Sequence, residues 1–216
     1  MTEEHVSETP EESTPESEDP RPWSDKYIYM AIGGFIVTCV VLFFGASWIT
    51  PDTEPGYKVN NAATFEEGSS GVWQITIDVS DRHEWAGINF SQGKRLDEES
   101  SADLLGRRYL IRAPGGAVNL GNVSLEDAKV ESDAEWKIDK DNNGEIMNPA
   151  IGKWYSYSYW THLLDPHSFT YAVRLADGSG VAYIRIVSYY CVPEGTGCLT
   201  LRYRIENWPN APTASR

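Results

Sequence analysis

The chain has few cysteines, methionines and histidines, the side chains that bind transition metals through sulfur or nitrogen. Its 216 residues include three cysteines, three methionines and four histidines. It contains no Gly-x-Ser-x-Gly, His-Glu-x-x-His or glycine-rich phosphate-binding motif. Cys191 and Cys198 alone are too few for a structural zinc site, which takes four ligands. The sequence therefore predicts a protein that is not an enzyme.

Positive charge is also scarce. The chain has 18 Lys and Arg against 32 Asp and Glu, a net charge of −14. This balance argues against binding to nucleic acid or docking on anionic lipid, because both need basic side chains that face phosphates. Residues 1–26 alone hold nine acidic residues against Arg21 and Lys26, with almost nothing apolar to bury. They are predicted to be a disordered acidic tail.

A 23-residue apolar run without charge covers residues 27–49. As a helix it would span about 34 Å, enough for a hydrocarbon core of about 30 Å. Tyr27 and Trp48 lie near its two ends, where amphipathic rings prefer to sit at a membrane. A cleaved signal peptide is the alternative, but the acidic flank and the length of the run favour a retained single-pass helix.

The flanking charges and the cysteines both bear on orientation. Arg21 and Lys26 precede the apolar run, which favours a cytoplasmic N-terminus and a periplasmic or extracellular C-terminal region. Cys191 and Cys198 bracket residues 192–197, a turn between two strand-like runs. They fit a disulfide in an oxidising compartment; the alternative is two free thiols in a cytosolic hairpin.

After the apolar run, Pro51, Pro55 and Gly56 mark residues 50–61 as a linker. Residues 62–208 carry mostly strand-like patterns, which predict an all-β, antiparallel, sandwich-like domain, and residues 209–216 are predicted to be a flexible C-terminus. A three-strand antiparallel meander covers residues 169–205, with a hairpin turn at 176–180. The other predicted strands are 72–79 paired with 84–91, then 107–113, 117–123, 127–136 and 154–160, with one short helix at 97–105.

A polar segment resembles the start of a calcium-binding loop. Asp139, Asp141 and Asn143 supply oxygen donors at loop positions 1, 3 and 5, and Gly144 follows at position 6. Position 12 is Ala150 instead of a bidentate glutamate, and no helical pattern flanks the segment. The alternative interpretation is a polar turn between strands, which Asp, Asn and Gly also favour.

Three histidines lie in residues 62–208: His83, His162 and His167. A single histidine is usually an ordinary surface or core residue, but a haem iron needs only one or two axial donors beside an apolar wall. His162 and His167 flank a predicted loop next to the aromatic run 154–160, whereas His83 lies in a predicted turn beside Trp85. All three are candidate haem ligands.

Several segments, in order along the chain, resemble the HmuY family of bacterial haem-binding proteins. They are RRYLIRAPGG at 107–116, AEWKID at 134–139, PAIGKWYSY at 149–157, YAVRLADG at 171–178, IRIVSYY at 184–190 and CLTLRY at 198–203. The resemblance implies an all-β sandwich-like fold that holds haem between loops at one end. It also implies a haemophore role, in which haem is bound and passed to a receptor.

Two functions are therefore expected. The first is haem binding or relay by a membrane-anchored, HmuY-like protein outside the cytoplasmic membrane, through His83, His162 or His167. The alternative is a non-catalytic accessory or scaffold subunit of a membrane complex, which would use the β-rich region for contacts with another protein.

Overall fold

The computed structural model describes residues 24–48, 55–66, 71–97 and 99–207. The chain divides into an N-terminal unit, Met1–Pro51, and a second unit, Asp52–Arg216, called the β domain below. The predicted flexible C-terminus and most of the predicted acidic tail lie outside the described residues.

The described part of the N-terminal unit is a helix, α1 (Asp25–Trp48), which confirms the helix predicted at 27–49 and begins two residues earlier. Its apolar side chains, among them Phe35 and Phe43, are exposed. The helix is long and apolar enough to cross a membrane, a criterion that a signal sequence near the N-terminus also meets.

The described part of the β domain is built from short and long antiparallel strands. They are β1 (Thr64–Phe65), β2 (Trp73–Asp78), β3 (Ala86–Asn89), β4 (Lys94–Leu96), β5 (Leu104–Arg107), β6 (Leu110–Arg112), β7 (Ala117–Asn119), β8 (Lys140–Asn142), β9 (Glu145–Met147), β10 (Tyr155–Tyr157), β11 (Leu164–Pro166), β12 (Thr170–Arg174), β13 (Gly180–Tyr190) and β14 (Thr196–Asn207).

These strands form a six-stranded sheet in the order β1-β2-β14-β13-β12-β7 and a four-stranded sheet in the order β4-β3-β5-β6. β8–β9 and β10–β11 are separate hairpins. All strand pairs are antiparallel. The all-β, antiparallel prediction is confirmed, as is the meander of β12, β13 and β14.

The main core lies between the two sheets. Ile75, Ile184 and Leu201 from the six-stranded sheet share one buried cluster with Ile88 and Ile111 from the four-stranded sheet. Side chains alternate between the two faces of a strand, so the neighbouring positions on β12 and β13 point to the opposite face. The two inner faces thus make a sandwich core.

The opposite face of the six-stranded sheet is also buried. Val181 and Tyr183 of β13 join Leu125 and Ala128, from the segment between β7 and β8, in a second cluster. The strand predicted at 127–136 is wrong, since this segment is irregular. Two backbone carbonyl oxygens between β7 and β8 accept hydrogen bonds from the Arg204 guanidinium rather than from a neighbouring strand. They belong to Leu125 (3.0 Å) and Ala128 (2.8 Å).

The predicted pairing of strands 72–79 and 84–91 is wrong. β2 pairs with β1 and β14, whereas β3 pairs with β4 and β5. The connection between β2 and β3 crosses from one sheet to the other. Asp81 accepts hydrogen bonds from the backbone N–H groups of His83 (2.6 Å) and Glu84 (2.9 Å), which turns the chain away from a hairpin path.

Two further predictions need correction. The helix predicted at 97–105 is a 3₁₀ turn, Glu99–Ser101, followed by β5, because Leu104 and Leu105 are both buried in the sheet. The strand predicted at 107–113 is divided between β5 and β6. Arg108, with φ of 52°, makes the turn between them.

The last part of the predicted linker is attached to the six-stranded sheet. The Ser188 hydroxyl donates to the Pro55 carbonyl at 2.9 Å, and the Tyr57 N–H donates to the Tyr190 carbonyl at 2.9 Å. Asn60 accepts from the Thr76 N–H through its side chain at 2.9 Å. Residues 55–61 therefore belong to the β domain rather than to a free linker.

A buried carboxylate joins the two sheets. Asp103 is 2% exposed and accepts from the N–H of Phe90, after β3, at 2.7 Å and from the N–H of Ala176, after β12, at 2.6 Å. Burial raises the pKa of the Asp103 carboxyl to about 6, despite these two donors.

We expect residues 52–216 to fold alone and to be more stable than residues 62–216. The shorter chain loses several hydrogen bonds to the sheet, at about 1 kcal/mol each, so its free energy of unfolding should fall by about 2–5 kcal/mol. Urea unfolding followed by far-UV circular dichroism measures the difference. Equal midpoints for the two chains would show that residues 55–61 contribute nothing.

We expect Asp103 to make stability depend on pH. The pKa of the folded protein, about 6, lies above the ordinary value of 3.8, so the folded state binds this proton more tightly. The resulting stability is present below pH 4 and is lost as pH rises through 6, up to about 3 kcal/mol. The measurement is the difference in free energy of unfolding between the parent and Asp103→Asn from pH 4 to 7. A difference that does not change with pH would refute this role.

Candidate functional site

The β10–β11 hairpin carries an uncharged aromatic surface at its tip. No charged residue occurs between Trp154 and Leu164. Trp154 is fully buried at the base, where its indole N–H donates to the Tyr109 carbonyl at 2.9 Å. Trp160 at the tip is 96% exposed, and Tyr159 is 82% exposed. The strand predicted at 154–160 is shorter in the structure, because β10 ends at Tyr157.

Tyr190, the last residue of β13, fastens this hairpin to the six-stranded sheet. Its hydroxyl accepts from the Leu164 N–H at 2.6 Å and donates to the Leu164 carbonyl at 3.0 Å. Both backbone groups of one β11 residue therefore bond to a single side chain. This contact holds the aromatic surface in a defined position on the domain.

The tip of the hairpin is closed by its own backbone. The Ser158 N–H donates to the Leu163 carbonyl at 2.9 Å, and the His162 N–H donates to the Ser158 carbonyl at 2.8 Å. His162 has φ of 56°, in the left-handed region that residues with a side chain seldom adopt. The loop thus places this histidine at a constrained and exposed position.

His162 has a side-chain partner within the same hairpin. Its Nδ1 atom lies 2.5 Å from the Tyr157 hydroxyl oxygen, and either atom can donate in this hydrogen bond. Tyr157 also makes an edge-to-face contact with Tyr159, with ring centroids 5.2 Å apart. Nδ1 is therefore engaged, and Nε2 is the nitrogen left for a ligand.

The structure puts His167 on the same hairpin, at its other end. Its N–H donates to the Trp154 carbonyl at 2.8 Å, and its ring lies 5.0 Å from that of Phe169. The three paired positions of the ladder, Tyr155 to Tyr157, separate it from the tip that carries His162. At about 3.3 Å per residue, roughly 10 Å of strand lies between the two histidines.

His83 lies elsewhere, in the exposed connection between β2 and β3. It lines a cleft of about 420 Å³ with Glu84, Trp85, Arg95, Asp97 and Glu99. The single base, Arg95, lies 3.3 Å from Asp97. Arg107 and Arg112 also lie over the ring of Trp85, so acidic and basic side chains are mixed around this cleft.

A second cleft, of about 410 Å³, lies between the hairpin tip and the turn that joins β13 to β14. It is lined by Gly56, Leu163, Tyr190, Cys191, Pro193, Glu194 and Gly195. Cys191 and Cys198 form a disulfide with an S–S distance of 2.05 Å, which confirms the predicted pairing. The disulfide fixes one wall of this cleft, and Leu163 beside His162 contributes to the other.

The calcium-like segment forms the β8–β9 hairpin, with Asn143 and Gly144 at positive φ in its turn. Asp139 accepts from the Ala113 N–H (2.9 Å) and from the Asn148 amide (3.0 Å), and Asp141 accepts from the Gly144 N–H (2.7 Å). The segment forms a polar turn, and calcium binding by it stays an untested prediction. Within the described ranges, no group of three or more His, Cys, Asp or Glu could hold a metal ion.

The histidines could be identified as candidate ligands from the sequence, but the contacts of Tyr157 with His162 and of Tyr190 with Leu164 could not be predicted. The sequence signal was a Tyr–Ser alternation over residues 155–159, which indicates a strand and nothing about the loop that closes it. Tyr190 was predicted only as part of a strand.

No family model and no curated protein sequence matches this chain. Solved structures do. A protein described as a lipoprotein from Bacteroides fragilis has a TM-score of 0.55 at 18% identity, over 70% of this chain and 96% of that one. A protein described as HmuY-like and haem-binding, from Bacteroides vulgatus, has a TM-score of 0.53 at 20% identity, over 67% and 97%. The apo HmuY analogue of Tannerella forsythia has a TM-score of 0.53 at 14% identity, over 62% and 95%.

These structures are matched over nearly their whole length, so the likeness concerns one complete domain. The β domain therefore has the HmuY-like fold that the sequence resemblance implied.

We expect Tyr190→Phe to loosen the hairpin without unfolding the domain. The change removes one hydroxyl and leaves the Leu164 N–H and carbonyl without that partner, at a cost of about 1–2 kcal/mol. Hydrogen exchange should show faster exchange of the Leu164 amide, while amides in β13 and β14 keep their protection. Tyr159→Phe is the matched control. Unchanged exchange at Leu164 would contradict the anchoring role.

Proposed function

We propose that this chain binds haem at the tip of the β10–β11 hairpin, with His162 as an iron ligand. The observation that carries the proposal is a single exposed imidazole, held by Tyr157 and flanked by the exposed rings of Tyr159 and Trp160. The fold supports it, because two of the similar structures are an HmuY-like haem-binding protein and an HmuY analogue.

The donor set at the tip fits haem better than a free metal ion. One imidazole cannot hold a bare cation, which needs several protein ligands. The iron of haem already has four porphyrin nitrogens and needs only axial donors. When bound, haem would supply a redox-active iron; the hairpin would supply the imidazole and the apolar surface.

Charge favours the same place. Haem carries two propionate groups, and residues 52–216 have 16 Lys and Arg against 23 Asp and Glu, a net charge of −7 that disfavours an anionic ligand over much of the β domain. The hairpin tip is uncharged and aromatic, so it can cover a macrocycle without that repulsion. His83 is less suited, since Trp85, the aromatic residue of its cleft, is half-buried under two arginine side chains. His167 is the second candidate because it shares the hairpin.

The helix completes the proposal. We assign α1 as a single-pass anchor, with the N-terminus in the cytoplasm and the β domain periplasmic or extracellular. The disulfide between Cys191 and Cys198 supports an oxidising compartment, and the similar lipoprotein supports a place in the cell envelope. A haemophore held at the membrane would pass haem to a partner rather than carry out a reaction on it.

One observation favours a second function. Exposed Trp and Tyr side chains are also typical of sites where proteins bind each other, and Trp160 and Tyr159 are almost fully exposed. An accessory or scaffold subunit would use this tip for contact with another protein of a membrane complex.

The test is titration of the full chain in lipid nanodiscs with haemin, with empty nanodiscs as the blank. We expect a Soret band for the parent, its loss or shift in His162→Ala, and smaller changes in His167→Ala and His83→Ala. Equal affinity and an unchanged Soret band in all three variants would exclude histidine ligation. No binding by the parent would remove the haem proposal and favour the scaffold function.

A further inference from the structure

We propose that Tyr157 is a positioning residue that selects Nε2 of His162 as the iron-binding atom. The inference rests on the proposed haem function and assigns a role to a residue that would not itself touch the iron. It follows from two independent constraints on His162, one through its side chain and one through its backbone.

The side-chain constraint comes from a strand. Tyr157 is the last residue of β10 and pairs with Leu164 of β11, so the ladder fixes its backbone. Its ring is held by the edge-to-face contact with Tyr159, and its hydroxyl oxygen reaches Nδ1 of His162 at 2.5 Å. The hydroxyl is thus a fixed point to which the imidazole is tied.

The backbone constraint comes from the loop. His162 adopts φ of 56°, and its N–H donates to the Ser158 carbonyl at 2.8 Å. A left-handed conformation costs a residue with a side chain about 1–3 kcal/mol, and it persists only where its surroundings hold it in place. The backbone of His162 and its Nδ1 atom are therefore both constrained, so the imidazole has little freedom to present Nδ1 to a ligand.

A hydroxyl is a suitable partner because it can both donate and accept. In one neutral tautomer of His162, the Tyr157 O–H donates to Nδ1 and Nε2 carries the proton. In the other, Nδ1–H donates to the Tyr157 oxygen and Nε2 has a free lone pair. Ligation through Nε2 needs the second tautomer: Nε2 releases its proton to water, Nδ1 takes one up, and the phenol turns its own O–H away from the ring.

Metal-binding histidines usually donate their second ring N–H to a nearby acceptor, and loss of that acceptor typically weakens metal binding 10- to 100-fold. Tyr157 supplies such an acceptor here. We therefore expect Tyr157→Phe, which keeps the ring and removes only the hydroxyl, to weaken haemin binding about tenfold or more. The matched control is Tyr155→Phe, which removes a hydroxyl from a ring on the same strand that lies away from the tip.

The experiment uses the full chain in nanodiscs and three variants: Tyr157→Phe, Tyr155→Phe and His162→Ala. Haemin affinity, the Soret band and the reduction potential of the bound haem are measured. Without the Nδ1–H acceptor, the imidazole is a weaker donor to ferric iron, so the potential should move to more positive values in Tyr157→Phe. In the ligand-free protein, long-range ¹H–¹⁵N NMR should show a changed tautomer balance at His162 in Tyr157→Phe only.

The outcomes separate the two proposals. A parent protein that binds no haemin overturns the haem function and this inference with it. A parent that binds through His162, with Tyr157→Phe equal to it in affinity, potential and NMR spectrum, overturns the positioning role alone. Equal losses in Tyr157→Phe and Tyr155→Phe would also overturn it, because they would point to a general effect of removing a hydroxyl from the hairpin and not to the hydrogen bond with His162. A loss confined to Tyr157→Phe, with the NMR change, supports it.

Discussion

The β domain depends on burial of β13 on both of its faces. Ile184 and Ile186 contribute to the core between the sheets, and Val181 and Tyr183 pack on the other side. A strand buried in this way must satisfy every backbone group in the sheet, and β12 and β14 supply the partners. The other elements follow, because the four-stranded sheet covers one face and the irregular segment between β7 and β8 covers the other.

The candidate site is a consequence of how this strand ends. Register shifts between Ile186 and Tyr190 disturb the ladder where β13 leaves the core. There Ser188 and Tyr190 turn their hydroxyl groups to neighbouring segments, Ser188 to the Pro55 carbonyl and Tyr190 to Leu164. A cleft and an exposed hairpin therefore lie at the same end of the domain, next to the disulfide-bonded turn.

The meander from residue 169 to 205 was predictable because its pairings are local and its alternation is clear. The pairing of β2 with β14 was not predictable, since it joins Ile75 to Leu201. Local sequence patterns contain no information on which strands pair when they lie so far apart in the sequence. The candidate site was likewise predictable only in part. His162 could be identified from its residue type and its aromatic neighbours, but the contact of Tyr157 with its Nδ1 exists only because the loop closes in a left-handed turn.

Electrostatics explains why a chain so rich in acidic residues would keep a neutral tip. Acidic side chains line the cleft beside Trp85. The basic groups of that face are already engaged, since Arg107 and Arg112 stack against the indole. Arg112 is further paired with Glu99 at 2.9 Å. The β domain as a whole still has a net charge of −7 over residues 52–216, which disfavours an anionic ligand. The uncharged stretch between Trp154 and Leu164 offers an aromatic surface without that repulsion, and the one imidazole at its tip is the donor such a ligand would need.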